Sequence, residues 1–465
     1  MPWFERSTSL SRAAIARLFL VSWLIASCLC FFRNPEAWFY PLLYAEDGTS
    51  YVGPMLTTGF WHTLMTARPD YFVFGNVLLA GAAVGVNHLL HGADVTRIPH
   101  YLAIAASLFF GLVATLPIAL FAQRMHWLYL VLLAFASCFM PLNGTEYEVF
   151  GRALNIGYAF AYLAFLLVAY RNFAVASLGK RVILIDACIY LCLSTNPVAF
   201  AIAPAIYLPY LIHLWQTRSG RSLLRQPGFM SAVGLGLILL IQGSFTTIKI
   251  LSLKPGNLSG ETSGFAVYKL IEMFFARSLL YPVIAPIYRH LNDGLVILLA
   301  IAVIVAIVKV AQRQQRDLYG LATYSLIVFS IAAMLFRPGL FHYIQRYQTT
   351  FPDRYYYGQN LLAMFLFTVA LQDGLRRRSP QFEQRVLAGM ALFIVIFGGS
   401  AAIKFADHNP LRECPTLTQS LQTTWAGVTP TAIAPATPLV VMTCPAGWGM
   451  TLPAATVQTS IQSAP

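Results

Sequence analysis

The residues of this chain best suited to chemistry are an adjacent acid pair, Glu46 and Asp47, in YPLLYAEDGTSY, together with acids and arginines spread far downstream. A carboxylate can take the proton of an attacking hydroxyl. Guanidinium groups can neutralise a departing phosphate. Together these residue types suit group transfer onto a hydroxyl. In a chain this apolar, polar groups that survive are costly, and those collected on one side of a membrane are the best pointers to a site.

The elements that must position them are apolar. Of 465 residues, 58% are hydrophobic and 11% charged. Apolar runs long enough for helical crossings recur at 15–32, 71–91, 100–122, 127–142, 154–170, 182–195, 197–215, 229–251, 294–312, 318–336, 354–372 and 386–404. They lack the alternation of barrel strands, so the fold class expected is an all-α polytopic membrane protein of about 11–13 helices. The domains expected are an N-terminal membrane module, 1–215, containing the loop 33–70; a C-terminal module, 216–404; and a tail, 405–465.

The net charge of +13 comes from 31 Lys and Arg that lie mostly in short connections. That is a positive-inside pattern rather than a nucleic-acid surface. Arg171 with Lys180 and Arg181, then Arg218, Arg221 and Arg225, then Lys309, Arg313 and Arg316, then Arg376, Arg377, Arg378 and Arg385 mark cytoplasmic connections. The first run reads as an uncleaved span with a cytoplasmic N-terminus. The segments 143–153, 252–293, 337–353 and the tail then face outward, and so does the loop 33–70. One conflict remains in this count. With both 33–70 and 143–153 outside, the spans between 71 and 142 are one crossing too few, and the 52 residues of 71–122 are too short for three crossings of roughly 20 residues each. Short or half-crossing helices are expected there.

On that topology the outer face collects Glu46, Asp47, Arg68, Asp70, Glu146, Glu148, Arg152, Glu261, Glu272, Arg277, Arg337, His342, Arg346, Asp353 and Arg354. The acid pair is expected at a water-facing mouth. No nucleotide sugar is available on that face, so an activated group must arrive on a lipid carrier. Glu148 and Arg152 stand four apart, which suits either an i,i+4 ion pair or acceptor and phosphate binding. Trp38, Phe39, Tyr40, Tyr44, Tyr51, Phe60 and Trp61 suit both a sugar pocket and an interfacial belt. His88, His91 and His100 fit no standard metal motif. Cys414 and Cys444 lie in the tail, where oxidising conditions permit a disulfide; closing a loop of roughly 30 residues contributes about 3 to 4 kcal/mol on the chain-entropy account.

Several short patches carry a resemblance. AEDG at 45–48, RPDYFVFGN at 68–76, NGTEYEVFGRALN at 143–155, DRYYYGQN at 353–360 and CPAGWGM at 444–450 make the chain resemble the bacterial multispanning glycosyltransferases of the GT-C fold, including the serotype-converting O-antigen glucosyltransferases. The resemblance implies a polyprenyl-phosphate (undecaprenyl-phosphate) sugar donor, glucose being the first choice of sugar. It implies a cell-surface polysaccharide such as O-antigen as acceptor, and an inverting displacement on the periplasmic side of the inner membrane. It places the catalytic base on Asp47, with Glu46 second. Arg354, then Arg346, Arg152, Glu148, Glu146 and Tyr355 are candidates for binding donor phosphate and substrate. No cofactor is expected beyond the donor, and no residue set supports a divalent metal. The competing reading is a flippase for a lipid-linked sugar, which would need charged groups at mid-span. The apolar runs are nearly free of charge apart from Asp186 and Lys249. An outward-facing acyltransferase is a third reading, for which only His342 near Asp353 offers a histidine and acid.

Overall fold

The computed structural model describes residues 10–142, 145–252, 267–311, 315–336, 347, 353–376, 378–407, 410–428 and 434–463. Arg337, His342, Arg346 and Glu261 lie outside the described residues.

Every apolar run read from the sequence is helical. The long helices are α1 (Arg12–Arg33), α2 (Phe74–His91), α3 (Ile98–Phe121), α4 (Trp127–Cys138), α5 (Ala159–Leu178), α6 (Val182–Leu193), α7 (Ala203–Thr217), α8 (Phe229–Ser252), α9 (Asp293–Val310), α10 (Arg316–Phe336), α11 (Tyr357–Leu375) and α12 (Pro380–Asp407). Among the described residues, eight helical stretches are long and apolar enough to cross a membrane. The chain is therefore a helical, multi-pass membrane protein. The expected short helix exists, but it is α4 rather than a piece of 71–122: at 12 residues it rises about 18 Å against a hydrocarbon core of about 30 Å.

Three differences from the sequence reading have physical causes. Arg171 is not a loop cation. It is buried within α5, where its guanidinium meets Asp186 of α6 at 2.5 Å, Tyr210 Oη at 3.2 Å and the Gly228 carbonyl at 3.0 Å. Only Lys180 and Arg181 occupy the turn between α5 and α6. Second, Tyr268–His290, expected to be part of one irregular connection, is a continuous helical stretch, long and apolar enough to cross by length and composition alone. Its Glu272, Arg277, Pro282 and Pro286 interrupt the apolar run that would have announced it. Third, the tail, expected only as an outward-facing segment, is folded. It builds a helix, α13 (Leu417–Ala426), with a Thr416/Gln419 capping box, then the hairpin β1 (Pro438–Thr443) and β2 (Trp448–Pro453), then α14 (Ala454–Ser463).

The chain packs as two compact units, each assembled from separated segments. One comprises residues 1–26, 113–143 and 158–401; the other comprises 27–112, 144–157 and 402–465. The second, here the loop unit, joins the first long connection, the segment before α5 and the whole tail. Its core sets Val77, Ala80 and Ala83 of α2 against Tyr51, Val52 and Met55 of the loop. Leu417, Leu421, Val441, Leu452 and Val457 of the tail complete it. The inward face of α2 is thus occupied by loop and tail. β1 and β2 run antiparallel, pairing Val441 with Met450 and Leu439 with Leu452, and alternation along each strand sends one set of side chains into this core.

Candidate active site in the loop unit

The chain enters the site through a strained turn. Ala45 is a non-glycine residue at φ +44, and its N–H donates to the Cys444 carbonyl at 2.5 Å. Asp47 then opens a wide π-helical turn, Asp47–Val52. Such turns are rare and concentrate at functional sites. The acid pair is not a helix cap, because no side chain caps this turn.

Nor does Asp47 face water at an open mouth. It is only 1% exposed, and its carboxylate accepts the Leu154 N–H at 2.7 Å. Burial pushes the Asp47 carboxyl up to about 7, while the Arg152 guanidinium and the Leu154 and Ala153 N–H groups act against that rise. The expectation of a solvated rim failed because sequence position at a span end says nothing about what packs over it. Here β2 and the loop do: a Cβ on Gly53 would lie 3.0 Å from Met450 Cβ and 2.9 Å from the Gly48 carbonyl.

Arg152 is 2% exposed. Its Nη1 donates to the Leu42 carbonyl at 2.9 Å and its Nε to the Tyr147 carbonyl at 3.4 Å, while Nη2 is buried without a hydrogen-bond partner. Burial draws its pKa down and Asp47 draws it up. The guanidinium lies over the Tyr44 ring, 5.9 Å from its centroid, and the Tyr44 hydroxyl donates to Glu148 Oε1 at 3.0 Å. The helical spacing expected for Glu148 and Arg152 is not realised: the helix Glu146–Val149 stops, Phe150 is extended and Gly151 turns at φ +74. Only glycine fits there, since a Cβ would stand 2.5 Å from that of Ala37.

The other acids have assigned partners. Glu146 Oε1 pairs with Arg33 at 2.9 Å, both buried. Glu46 is partly exposed and pairs with Arg68 at 3.3 Å, and Arg68 also holds Asp70 at 3.0 Å. Burial works to lower the Arg68 pKa, but Tyr71, Asp70 and Glu46 raise it overall.

Sequence reasoning missed the asparagines that fix this arrangement. Asn34 Nδ2 donates to the Phe150 carbonyl at 2.7 Å and Asn155 Nδ2 to the Glu148 carbonyl at 2.7 Å. Asn76 Nδ2 donates to the Ala153 and Leu154 carbonyls at 2.6 and 2.7 Å. These side chains pin 148–155 along its length, and with it the N–H that Asp47 accepts. The available signal was an amide at each end of α2's approach, in RNPEAW and YFVFGN, where an apolar residue would otherwise be expected.

The remaining candidates belong to the other unit. Arg354, half-buried, stacks on Tyr355 at 5.1 Å from its ring centroid and donates to its hydroxyl at 3.4 Å; Tyr355 meets Tyr158 edge-on at 5.0 Å. Beside them in sequence, Asp353 forms a buried ion pair with Arg277 and accepts the Tyr281 hydroxyl at 2.7 Å. Arg277 also lies 3.5 Å from Glu272, which accepts the Tyr288 hydroxyl at 2.5 Å.

Among the described residues no three His, Cys, Asp or Glu are gathered so as to hold a metal ion. The histidines noted in the sequence are separately engaged: His88 with the Gly92 carbonyl, His91 with the Tyr101 hydroxyl at 2.9 Å, and His100 edge-on to Trp38.

What the loop unit offers chemically is a buried carboxylate poised near neutrality, with a buried guanidinium beside it that has one nitrogen unused. Compared with protein families, with curated proteins and with solved structures, the chain matches none.

Proposed function

We propose that this protein is a membrane glycosyltransferase of GT-C-like fold. In this reading it transfers a sugar, glucose being the first choice, from a polyprenyl-phosphate carrier to a hydroxyl of a cell-surface polysaccharide such as O-antigen. The observation that carries the reading is Asp47. A general base works best with a pKa near the operating pH, and burial brings this carboxyl to about 7. Glu46 is a poorer base because it is engaged with Arg68. Asp47 would take the proton of the acceptor hydroxyl as its oxygen attacks the anomeric carbon, and the bond to the carrier phosphate would break with inversion. Arg152, with Nη2 unused, is the loop unit's candidate for the phosphate charge. Arg354, stacked on Tyr355 in the other unit, stays a separate phosphate-binding proposal of its own.

The bond between Cys414 and Cys444 supports an oxidising, periplasmic setting for the loop unit. A consistent topology follows if α2 and Tyr268–His290 do not cross. The N-terminus then starts in the cytoplasm, α1, α3 and each of α5 to α12 cross once, and the run 127–142 makes a further, short crossing through α4. That makes eleven crossings with the tail outside. Arg124, Lys180 and Arg181, the Arg218 group, Lys309 with Arg316, and the Arg376 group all fall inside. The occupied face of α2 supports leaving it outside.

The flippase reading keeps one specific observation. Glu272 and Arg277 are buried charges within an apolar helical stretch. The two readings part in a cell that carries Asp47→Asn at matched membrane expression. Loss of a sugar linkage from the surface polysaccharide, with intact delivery of the carrier-linked sugar to the outer leaflet, is the expected result. Unchanged linkages would remove Asp47 from the mechanism, and failure of carrier delivery would favour the flippase.

A further inference from the structure

The tail hairpin holds the segment that carries Asp47. Cys444 is the centre of this contact. Its N–H donates to the Leu43 carbonyl at 3.2 Å, and its carbonyl accepts the Ala45 N–H at 2.5 Å, so the hairpin end and the loop form a one-bridge parallel ladder at Tyr44, three residues before Asp47. Three further ties flank it. The Leu417 N–H donates to the Pro41 carbonyl at 2.8 Å. Arg412 reaches Glu36 at 2.6 Å. Gly48 lies so close to Thr443 that a Cβ would stand 2.8 Å from its methyl group. The conformation held this way is one the loop would not keep alone, because φ +44 at Ala45 is left-handed backbone that a non-glycine residue adopts only where its surroundings hold it. Cys444 is in turn bound to Cys414, 30 residues earlier, beside Leu411 and Leu42 in a small buried cluster.

We infer that the disulfide-closed tail is a positioning element for Asp47: the Cys414–Cys444 bond keeps Cys444 laddered to Leu43 and Ala45, and without it the strained turn relaxes and the carboxylate leaves its place against Leu154. The inference that placement matters for transfer rests on the functional reading above. The clamp itself does not.

The test therefore has two independent arms, both on the full-length protein in lipid nanodiscs. In the first, amide hydrogen exchange over residues 41–53 is compared between the wild type and a variant with Cys414→Ser and Cys444→Ser. Exchange at least about tenfold faster in the variant, with α10 and α11 unchanged, is expected. Should the double variant not fold, the wild type is compared before and after treatment with a small dithiol. The dithiol gives two electrons and two protons to the Sγ–Sγ bond, which breaks to two thiols as the reagent closes to its own disulfide; thiol counting verifies the change. Unchanged exchange at 41–53 with the bond broken overturns the clamp, whatever the protein catalyses.

The second arm measures sugar transfer against pH. Opening the bond should lower kcat by about 10²-fold, the scale of an ångström-level misplacement, with little change in KM for the donor. The acid limb of the pH profile should move to lower pH, because a released Asp47 regains water. A lowered rate with an unmoved pH profile would show loss of folded enzyme rather than loss of placement, and would overturn the positioning role. An Asp47→Asn variant as active as the wild type would instead defeat the functional reading and leave the exchange result standing.

Discussion

Two buried groups of charges in this protein solve the same electrostatic problem differently. In the larger unit, Arg277 is ion-paired to Asp353 and close to Glu272, and tyrosine hydroxyls donate to both carboxylates. In the loop unit, Asp47 and Arg152 influence one another's charge, yet each spends its hydrogen bonds on backbone: Asp47 on the Leu154 N–H, Arg152 on the Leu42 and Tyr147 carbonyls. The first group meets charge with charge; the second meets it mainly with backbone. The difference teaches that burial alone does not decide how a charge is compensated; the partners that reach it do.

The sharpest way to break this comparison is Asp47→Asn. It should lower the transfer rate by about 10²- to 10⁴-fold, the usual worth of a general base, while the protein remains folded. In the wild type the rate should fall as pH drops through about 7, where Asp47 gains its proton, and this limb should be absent from the residual activity of the variant. The stability effect has the opposite direction. A carboxyl raised in the folded state contributes stability that is fully present below the unfolded value and lost as pH rises through the folded value. Thermal unfolding should therefore show Asp47→Asn more stable than wild type at pH 8 and indistinguishable from it near pH 4.

Arg277→Met tests the other group. Removing one partner leaves two buried carboxylates facing each other, which should cost about 3–5 kcal/mol and show as a large fall in Tm. A variant with normal Tm and no activity would make Arg277 a functional residue and erase the distinction. Gly151→Ala should cost about 1–3 kcal/mol, because φ +74 and the approach of Ala37 both oppose a methyl group there, and the transfer rate should drop with it as Arg152 shifts. Smallest of all, Arg68→Ala breaks only partly exposed pairs and should change stability by less than about 1 kcal/mol in a thermal shift assay. A larger effect would mean that Arg68 fixes the acid pair rather than decorating it.

Much of the helical framework was legible in the sequence, because in a membrane the run of apolar residues and the helix are nearly the same fact: no other local structure satisfies the backbone there. Legibility failed where charge and proline broke the run, as in Tyr268–His290, and where a cation sat inside a helix, as Arg171 does opposite Asp186. The tail hairpin was missed because six residues of alternation in VVMTCPAGWGMTLP are a weak signal beside a dozen apolar helices. Around the candidate site, the sequence pointed to Asp47, Glu148 and Arg152, which fold into one unit. It misjudged the setting of Asp47 and could not see Asn34, Asn76 and Asn155 at work, since a buried amide and a surface amide look alike in one dimension.

By itself, then, the sequence determined the membrane class, most of the helices and the presence of an acid pair in the first loop. All of these follow from composition and local order, which a bilayer reads directly. Tertiary structure alone decided that Asp47 is buried, that Arg152 and the Leu154 N–H act on it, and that Cys444 reaches back some 400 residues to hold the turn. Those are long-range contacts, and their energies depend on which distant surfaces meet, a quantity no local pattern contains.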